Sequence, residues 1–213
     1  MNTKKITTLG ILCAMAIIVN VMIHFPIIPA VSFLNYDPKD VIIVISGFIY
    51  GPLTTFLMSI ICSVFEIFYR GGTVLDIIMN MVSTCSFACI AAYVYQKNRS
   101  KKGAIIGLGF GVVLNAIAMT IWNYIITPIY FGMPREAIVP LLLPGIIPFN
   151  VIKSGLNAGI TIFLYKPLVT VLRNTNLVSK TDDTKHKYSG FLILGGFIII
   201  SCILLILVFQ HYI

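Results

Sequence analysis

The sequence predicts an all-α membrane protein, a bundle of six transmembrane helices followed by a seventh apolar helix at the C-terminus. Three observations carry that prediction. First, 58% of the 213 residues are hydrophobic and 10% charged, whereas soluble domains have about half apolar and a quarter charged residues. Second, apolar runs close to the roughly 20 residues needed to cross a bilayer recur along the chain. Third, the basic residues behind the formal charge of +8 follow a loop pattern rather than forming one patch. A chain so poor in charge cannot cover a globular surface, so lipid is its solvent. The loop pattern also argues against a nucleic-acid partner.

The first run, Ile6 to Phe25, follows Lys4 and Lys5. Ala14-Met15-Ala16 resembles a signal cleavage site, but the run continues past it and is long enough to span. A polar stretch, Asn35 to Asp40, precedes the apolar residues Val41 to Phe68, which Tyr50-Gly51-Pro52 interrupts. Glycine permits unusual backbone angles and proline lacks a donor, so a tight turn splits this run into two short spans. Arg70-Gly71-Gly72 closes the third span. The fourth runs from about Thr73 to Tyr95 and the fifth from about Ala104 to Thr127, with a basic loop between them. A proline-rich loop containing Pro128, Pro134, Pro140, Pro144 and Pro148 leads to the sixth span, Phe149 to Val171. The expected organisation is a six-helix unit over 1–173, a polar cytoplasmic linker over 174–190, and an extra apolar helix over 191–213.

With the N-terminus inside, Lys4, Lys5, Lys97, Arg99, Lys101, Lys102, Lys166, Arg173, Lys180, Lys185 and Lys187 fall on the cytoplasmic side, against Lys39, Arg70, Arg135 and Lys153 elsewhere. The positive-inside rule selects this orientation, and the split at Gly51 is what makes it consistent.

Enzyme signatures are absent. The histidines His24, His186 and His211 lie far apart, and no P-loop or nucleophile elbow occurs. All five cysteines lie in apolar runs. Cys85 and Cys89 share a helix face at i, i+4, without further ligands to complete a metal set. Gly107 and Gly111 form a small-x-x-x-small pair suited to close helix packing in lipid. Gly10 and Ala14 make a similar pair, either for packing within the bundle or for contact with another membrane subunit.

Polar residues at membrane depth are costly and usually face a cavity or one another. Asn123 lies near the outer end of the fifth span, and Asn150 and Lys153 share one face of the sixth. They either line an outward-facing pocket or anchor the helices at the interface, with Lys153 reaching to headgroups. Glu66, Arg70 and Asp76 suit a salt bridge, while Asp76 and Asn80, at i, i+4, also suit a pocket wall. The segment 33–38 reads equally as a loop closing over a pocket and as an ordinary connector.

Four segments together resemble the substrate-binding S components of energy-coupling factor (ECF) vitamin transporters, and most closely the riboflavin-specific ones. They are Phe33 to Asp40, Gly47 to Pro52, Trp122-Asn123-Tyr124, and the more specific Leu143-Pro144-Gly145-Ile146-Ile147-Pro148-Phe149-Asn150-Val151-Ile152-Lys153. The resemblance implies a six-helix bundle with both ends cytoplasmic and riboflavin bound near the extracellular side as a transported ligand, not a cofactor. It also implies a membrane-embedded coupling subunit and two ATPase subunits as partners, so that this chain hydrolyses nothing. Matched by position, Asn123, Asn150 and Lys153 hold the flavin ring, Leu34 and Tyr36 fall in the binding loop, and Gly10 and Ala14 face the coupling subunit. An asparagine amide complements the flavin imide. A lysine ammonium can donate to a flavin carbonyl. The run 191–209 departs from the six-helix pattern. An S component for another vitamin and a non-transporting membrane scaffold are the alternative readings.

Overall fold

The protein is described here by a computed structural model covering residues 3–174 and 189–210. The expected linker falls largely in 175–188, outside the described residues, as do Lys180, Lys185, His186, Lys187 and His211.

Helix α1 (Thr3–Met22) leads to a small loop with two two-residue strands, β1 (Phe25–Pro26) and β2 (Asn35–Tyr36), flanking a 3-10 turn at Pro29–Val31. The strands pair antiparallel, Phe25 with Tyr36 and Pro26 with Asn35. Six more helical rods follow. These are α2 (Lys39–Tyr50); α3 (Pro52–Arg70); α4 (Val74–Thr84), joined through a π turn to α5 (Ile90–Lys97); α6 (Lys101–Phe131); α7 (Arg135–Leu141), joined through a second π turn to α8 (Ile147–Asn174); and α9 (Ser189–Phe209). Among the described residues, six of the seven rods are long and apolar enough to cross a membrane.

The exception is α2, and it organises the rest. Its residues from Lys39 to Phe48 are all buried, packed among α1, α3, α5 and α8. Twelve residues rise only about 18 Å, well short of a bilayer core of about 30 Å. The expected second span is therefore a short central helix, which leaves room above its N-terminal end. The turn at Gly51 forms as expected, with φ at 98°, a conformation glycine adopts without a Cβ clash, and Pro52 opens α3.

The glycine pair of the fifth span also packs as expected. A Cβ on Gly107 would lie 2.7 Å from the Ala91 carbonyl oxygen, and one on Gly111 would lie 2.6 Å from that of Phe87. The backbones of α5 and α6 thus approach at a distance only glycine permits.

The proline-rich loop is not a loop. Helix α6 runs through Pro128 to Phe131, Gly132 ends it at φ 63°, and α7 begins at Arg135. The chain then stays helical through the π turn Leu142–Ile146, which contains Pro144. Backbone polar groups at membrane depth need partners within the protein. Widening one turn absorbs the missing proline donor and keeps the remaining hydrogen bonds. Cys85 to Cys89 likewise form a π turn rather than regular α-helix. All five thiols are free.

Candidate ligand-binding site

At the end of the bundle away from Lys5, Tyr50 and Gln96, a cavity of about 350 Å³ opens between the loop 23–38, α3, α4, α6 and α8. That volume lies in the range of small-molecule sites. Phe33, Leu34, Ile67, Met79, Met119 and Phe149 give it apolar walls. Asn35, Asp37, Asn80, Ser83 and Asn150 supply polar groups between them.

An ionic network braces one side. Lys153 Nζ donates to Asp37 Oδ2 at 2.8 Å, and Lys39 Nζ donates to Glu66 Oε2. Arg70 Nη1 donates to Glu66 Oε1 at 2.7 Å, and its other nitrogen donates to Asn20 Oδ1 at 2.9 Å. His24 Nε2 lies 3.2 Å from Arg70. Asn80 donates to Glu66 Oε2 at 3.2 Å. Burial alone disfavours the charged Asp37 carboxylate, but the ammonium groups of Lys153 and Lys39 outweigh it and hold that carboxyl well below the usual range. Burial and the neighbouring Arg70 both pull the His24 imidazole down. The Oδ1 atom of Asp37 is buried without a hydrogen-bond partner. Lys39 approaches it only to 3.7 Å, an ionic contact too long for a hydrogen bond. A buried acceptor at the wall of a cavity is suited to a ligand donor.

Leu34, Asp76, Asn80, Asn150 and Lys153, five of the residues singled out from sequence, line this cavity. Asn150 spends one amide hydrogen on the Ile146 carbonyl at 2.8 Å. Lys153 does not reach outward to headgroups, because its ammonium is held by Asp37. Arg70 pairs with Glu66, but Asp76 does not join them. It caps α4 by accepting from the Thr73 backbone at 2.7 Å and accepts from Tyr130 at 3.3 Å. Tyr36 and Asn123 do not line the cavity. The Tyr36 hydroxyl donates to Asn157 Oδ1 at 3.0 Å, and burial pushes its phenol up. Asn123 donates to the Met119 carbonyl at 2.8 Å and accepts from Thr127 at 2.8 Å, so it fixes a turn of α6 whose Met119 does line the cavity. Gly10 and Ala14 are exposed on α1 and do not line this cavity, and a Cβ at Gly10 meets open space.

Residues 4–165 match the model of a single family, described as the substrate-specific component of ECF transporters. The chain belongs to that family. The S component is similar to the riboflavin transporter RibU of Staphylococcus aureus, at 28% identity over 81% of this chain and 94% of that protein. It is also similar to the riboflavin transporter FmnP of Bacillus subtilis, at 28% identity over 72% of this chain and 86% of that protein. A solved S component of a bacterial ECF transporter superposes with a TM-score of 0.71 at 27% identity, covering 81% of this chain and 99% of its own. Membership makes the chain a multi-pass membrane transport component and not an enzyme. Among the described residues no group of three or more His, Cys, Asp or Glu side chains is placed to hold a metal ion.

Sequence reasoning missed Asp37, Lys39, Glu66 and Arg70 as one network, along with His24 and Tyr130. A signal was present. Of the four basic residues that break the positive-inside pattern, Lys39, Arg70 and Lys153 all belong to this network. The fourth, Arg135, stacks over the Tyr124 ring at 5.7 Å.

Proposed function

We propose that this S component binds riboflavin in the cavity between loop 23–38 and the outer ends of α3, α4, α6 and α8, for uptake driven by ATP in a complex. The observation that carries the reading is the combination of apolar walls with an unpartnered buried acceptor, Asp37 Oδ1. Riboflavin has a flat, largely apolar ring, an imide edge with one N–H donor and two carbonyls, and a hydroxylated chain. Phe33, Leu34, Met79, Met119 and Phe149 suit the ring faces. Asp37, Asn150 and Lys153 suit the imide edge, and Asn80 and Asp76 suit the hydroxyls. Tyr36 and Asn123 act from behind the wall by holding the loop and α6 in place. The names of the relatives support the same ligand.

In this reading the N-terminus is cytoplasmic, and residues 1–173 form the binding unit. The exposed small pair Gly10 and Ala14 gives α1 a close-approach surface for a membrane-embedded coupling subunit that works with two ATPase subunits.

The test is purification in detergent, an absorbance spectrum, and titration with riboflavin followed by quenching of flavin fluorescence. Saturable binding at one site per chain is expected. A colourless protein that leaves added riboflavin fluorescence unchanged overturns the assignment.

A further inference from the structure

Helix α9 begins beyond the family match, which ends at residue 165. Two glycines of α8 and one of α9 bring the two helices into close contact. A Cβ on Gly155 would lie 3.0 Å from Cys202 Sγ, and one on Gly159 would lie 2.7 Å from Ile199 Cγ1. A Cβ on Gly195 would lie 2.9 Å from Ile162 Cγ2. These contacts pair Gly155 to Ile162 of α8 antiparallel with Gly195 to Cys202 of α9, so the C-terminal end of α9 points to the cavity end of the bundle.

There α9 meets the loop. Cys202 is buried in one apolar cluster with Ile27, Ile28, Val31, Leu34 and Tyr36, and Ile199, Ile206 and Phe209 pack against that cluster. The Gln210 amide then donates to the Ile27 carbonyl at 3.3 Å. The loop's C-terminal end is tied to α8 by the Tyr36–Asn157 hydrogen bond and the Asp37–Lys153 pair, but its own backbone bonds are few. Its strands form two residue pairs, and isolated two-stranded ribbons are marginal at best. Two further backbone bonds, Val31 to Ile28 and Leu34 to Val31, close the 3-10 turn. Yet this loop supplies Phe33, Leu34, Asn35 and Asp37 to the cavity, so opening it would take one wall of the cavity away.

From this we infer that α9 is a brace for the cavity-closing loop, and that Gln210 is a positioning residue which, with Phe209, sets how often the loop opens and hence how fast a bound ligand escapes. The kinetic consequence rests on the riboflavin reading, but the effect on the loop does not. Losing the Gln210 bond removes about one ordinary hydrogen bond, which corresponds to roughly a fivefold shift in the opening equilibrium. The lipid-facing side of α9 has no such role. Ile203 and Leu204 are 47% and 51% exposed and turn away from the loop.

The test uses the full chain with three single substitutions. Gln210→Met keeps the side-chain length and removes the donor, Phe209→Ala removes packing, and Ile203→Ala is the control. Hydrogen–deuterium exchange without ligand reads loop opening directly. The amides of Val31 and Leu34 should exchange roughly fivefold faster in Gln210→Met, faster again in Phe209→Ala, and unchanged in Ile203→Ala. Riboflavin dissociation, followed by fluorescence recovery, should accelerate in the same order. Variants that fold and insert normally, but whose loop exchange stays at the native rate, reduce α9 to a membrane anchor and overturn the brace. If exchange shifts as expected but native protein binds no riboflavin, the ligand assignment fails and the brace stands.

Discussion

At the residue scale, the decisive pair is Lys153 with Asp37, buried together across 116 residues of sequence. Lys153→Ala leaves Asp37 facing only the longer contact to Lys39, and breaking one side of a buried pair typically costs about 3–5 kcal/mol. Riboflavin affinity is expected to fall by at least about tenfold, a loss of about 1.4 kcal/mol, while membrane insertion is unchanged. Fluorescence titration of the native and substituted proteins checks this, and equal affinities remove Lys153 from the site. The pH response separates two neighbours. Asp37 is held below the usual carboxylate range, so its contribution to stability is fully present above about pH 3.9 and is lost only as pH falls further. His24 is also lowered, but it is a base, so folding favours its neutral form. Its contribution is present above about pH 6.5 and fades as pH falls through the lower folded value. Thermal stability should therefore decline modestly from pH 7 to pH 5, and His24→Gln should flatten that decline. An unchanged slope in the variant assigns it to another group. The candidate residues Asn150 and Lys153 were legible from helix spacing, and Asp76 and Asn80 from the same rule. Their partners were not, because ion pairs such as Lys153–Asp37 join segments that no local pattern relates. Only the misplaced basic residues Lys39 and Arg70 hinted at them.

At the element scale, local chemistry decided what could be read. Gly51 marked a turn because only a residue without Cβ takes its backbone angle at no cost. Gly107 and Gly111 marked a helix contact because their spacing matches one helix face. The prolines misled, since Pro128, Pro140 and Pro148 sit within helices and Pro144 is accommodated by a π turn, where leaving the helix would strand backbone groups without water. The shortness of α2 followed from the turn at Gly51, which leaves only Val41 to Tyr50 for the second span. Its central position was not legible, because nothing local shows that Lys39 and Asp40 begin the helix while fully buried. The α5–α6 contact gives a sharp test. Gly111→Val forces a side chain against the Phe87 carbonyl, and overpacking of this kind costs about 1–3 kcal/mol. Gly109 faces open space, so Gly109→Ala gains helix propensity and should be neutral or slightly stabilising. Thermal unfolding in detergent should show a lower midpoint for the first and none for the second. Similar midpoints for both mean that the backbones of α5 and α6 can part without penalty.

At the scale of the whole molecule, the basic loops and the cavity sit at opposite ends. Lys5 lies over the Tyr50 ring at 5.3 Å, and the Gln96 amide lies against Gly51. The start of α1, the α2–α3 turn, the end of α5 and the start of α6 therefore share one end, with Lys4, Lys97, Arg99, Lys101 and Lys102. The loop 23–38, Gly71, Met133 and Gln210 share the other, where the cavity opens. In the proposed orientation the positive-inside rule keeps the basic loops in the cytoplasm and turns the cavity outward, the direction that uptake requires. The seven rods among the described residues alternate in direction, so Gln210 ends on the cavity side, consistent with its bond to Ile27. Single cysteines placed at Met133 and at Asn98, in a chain whose native cysteines are replaced by serine or alanine, report the orientation. In intact cells an impermeant maleimide should label Met133→Cys and spare Asn98→Cys until the membrane is permeabilised. The reverse pattern would put the cavity on the cytoplasmic side, where it could not serve uptake.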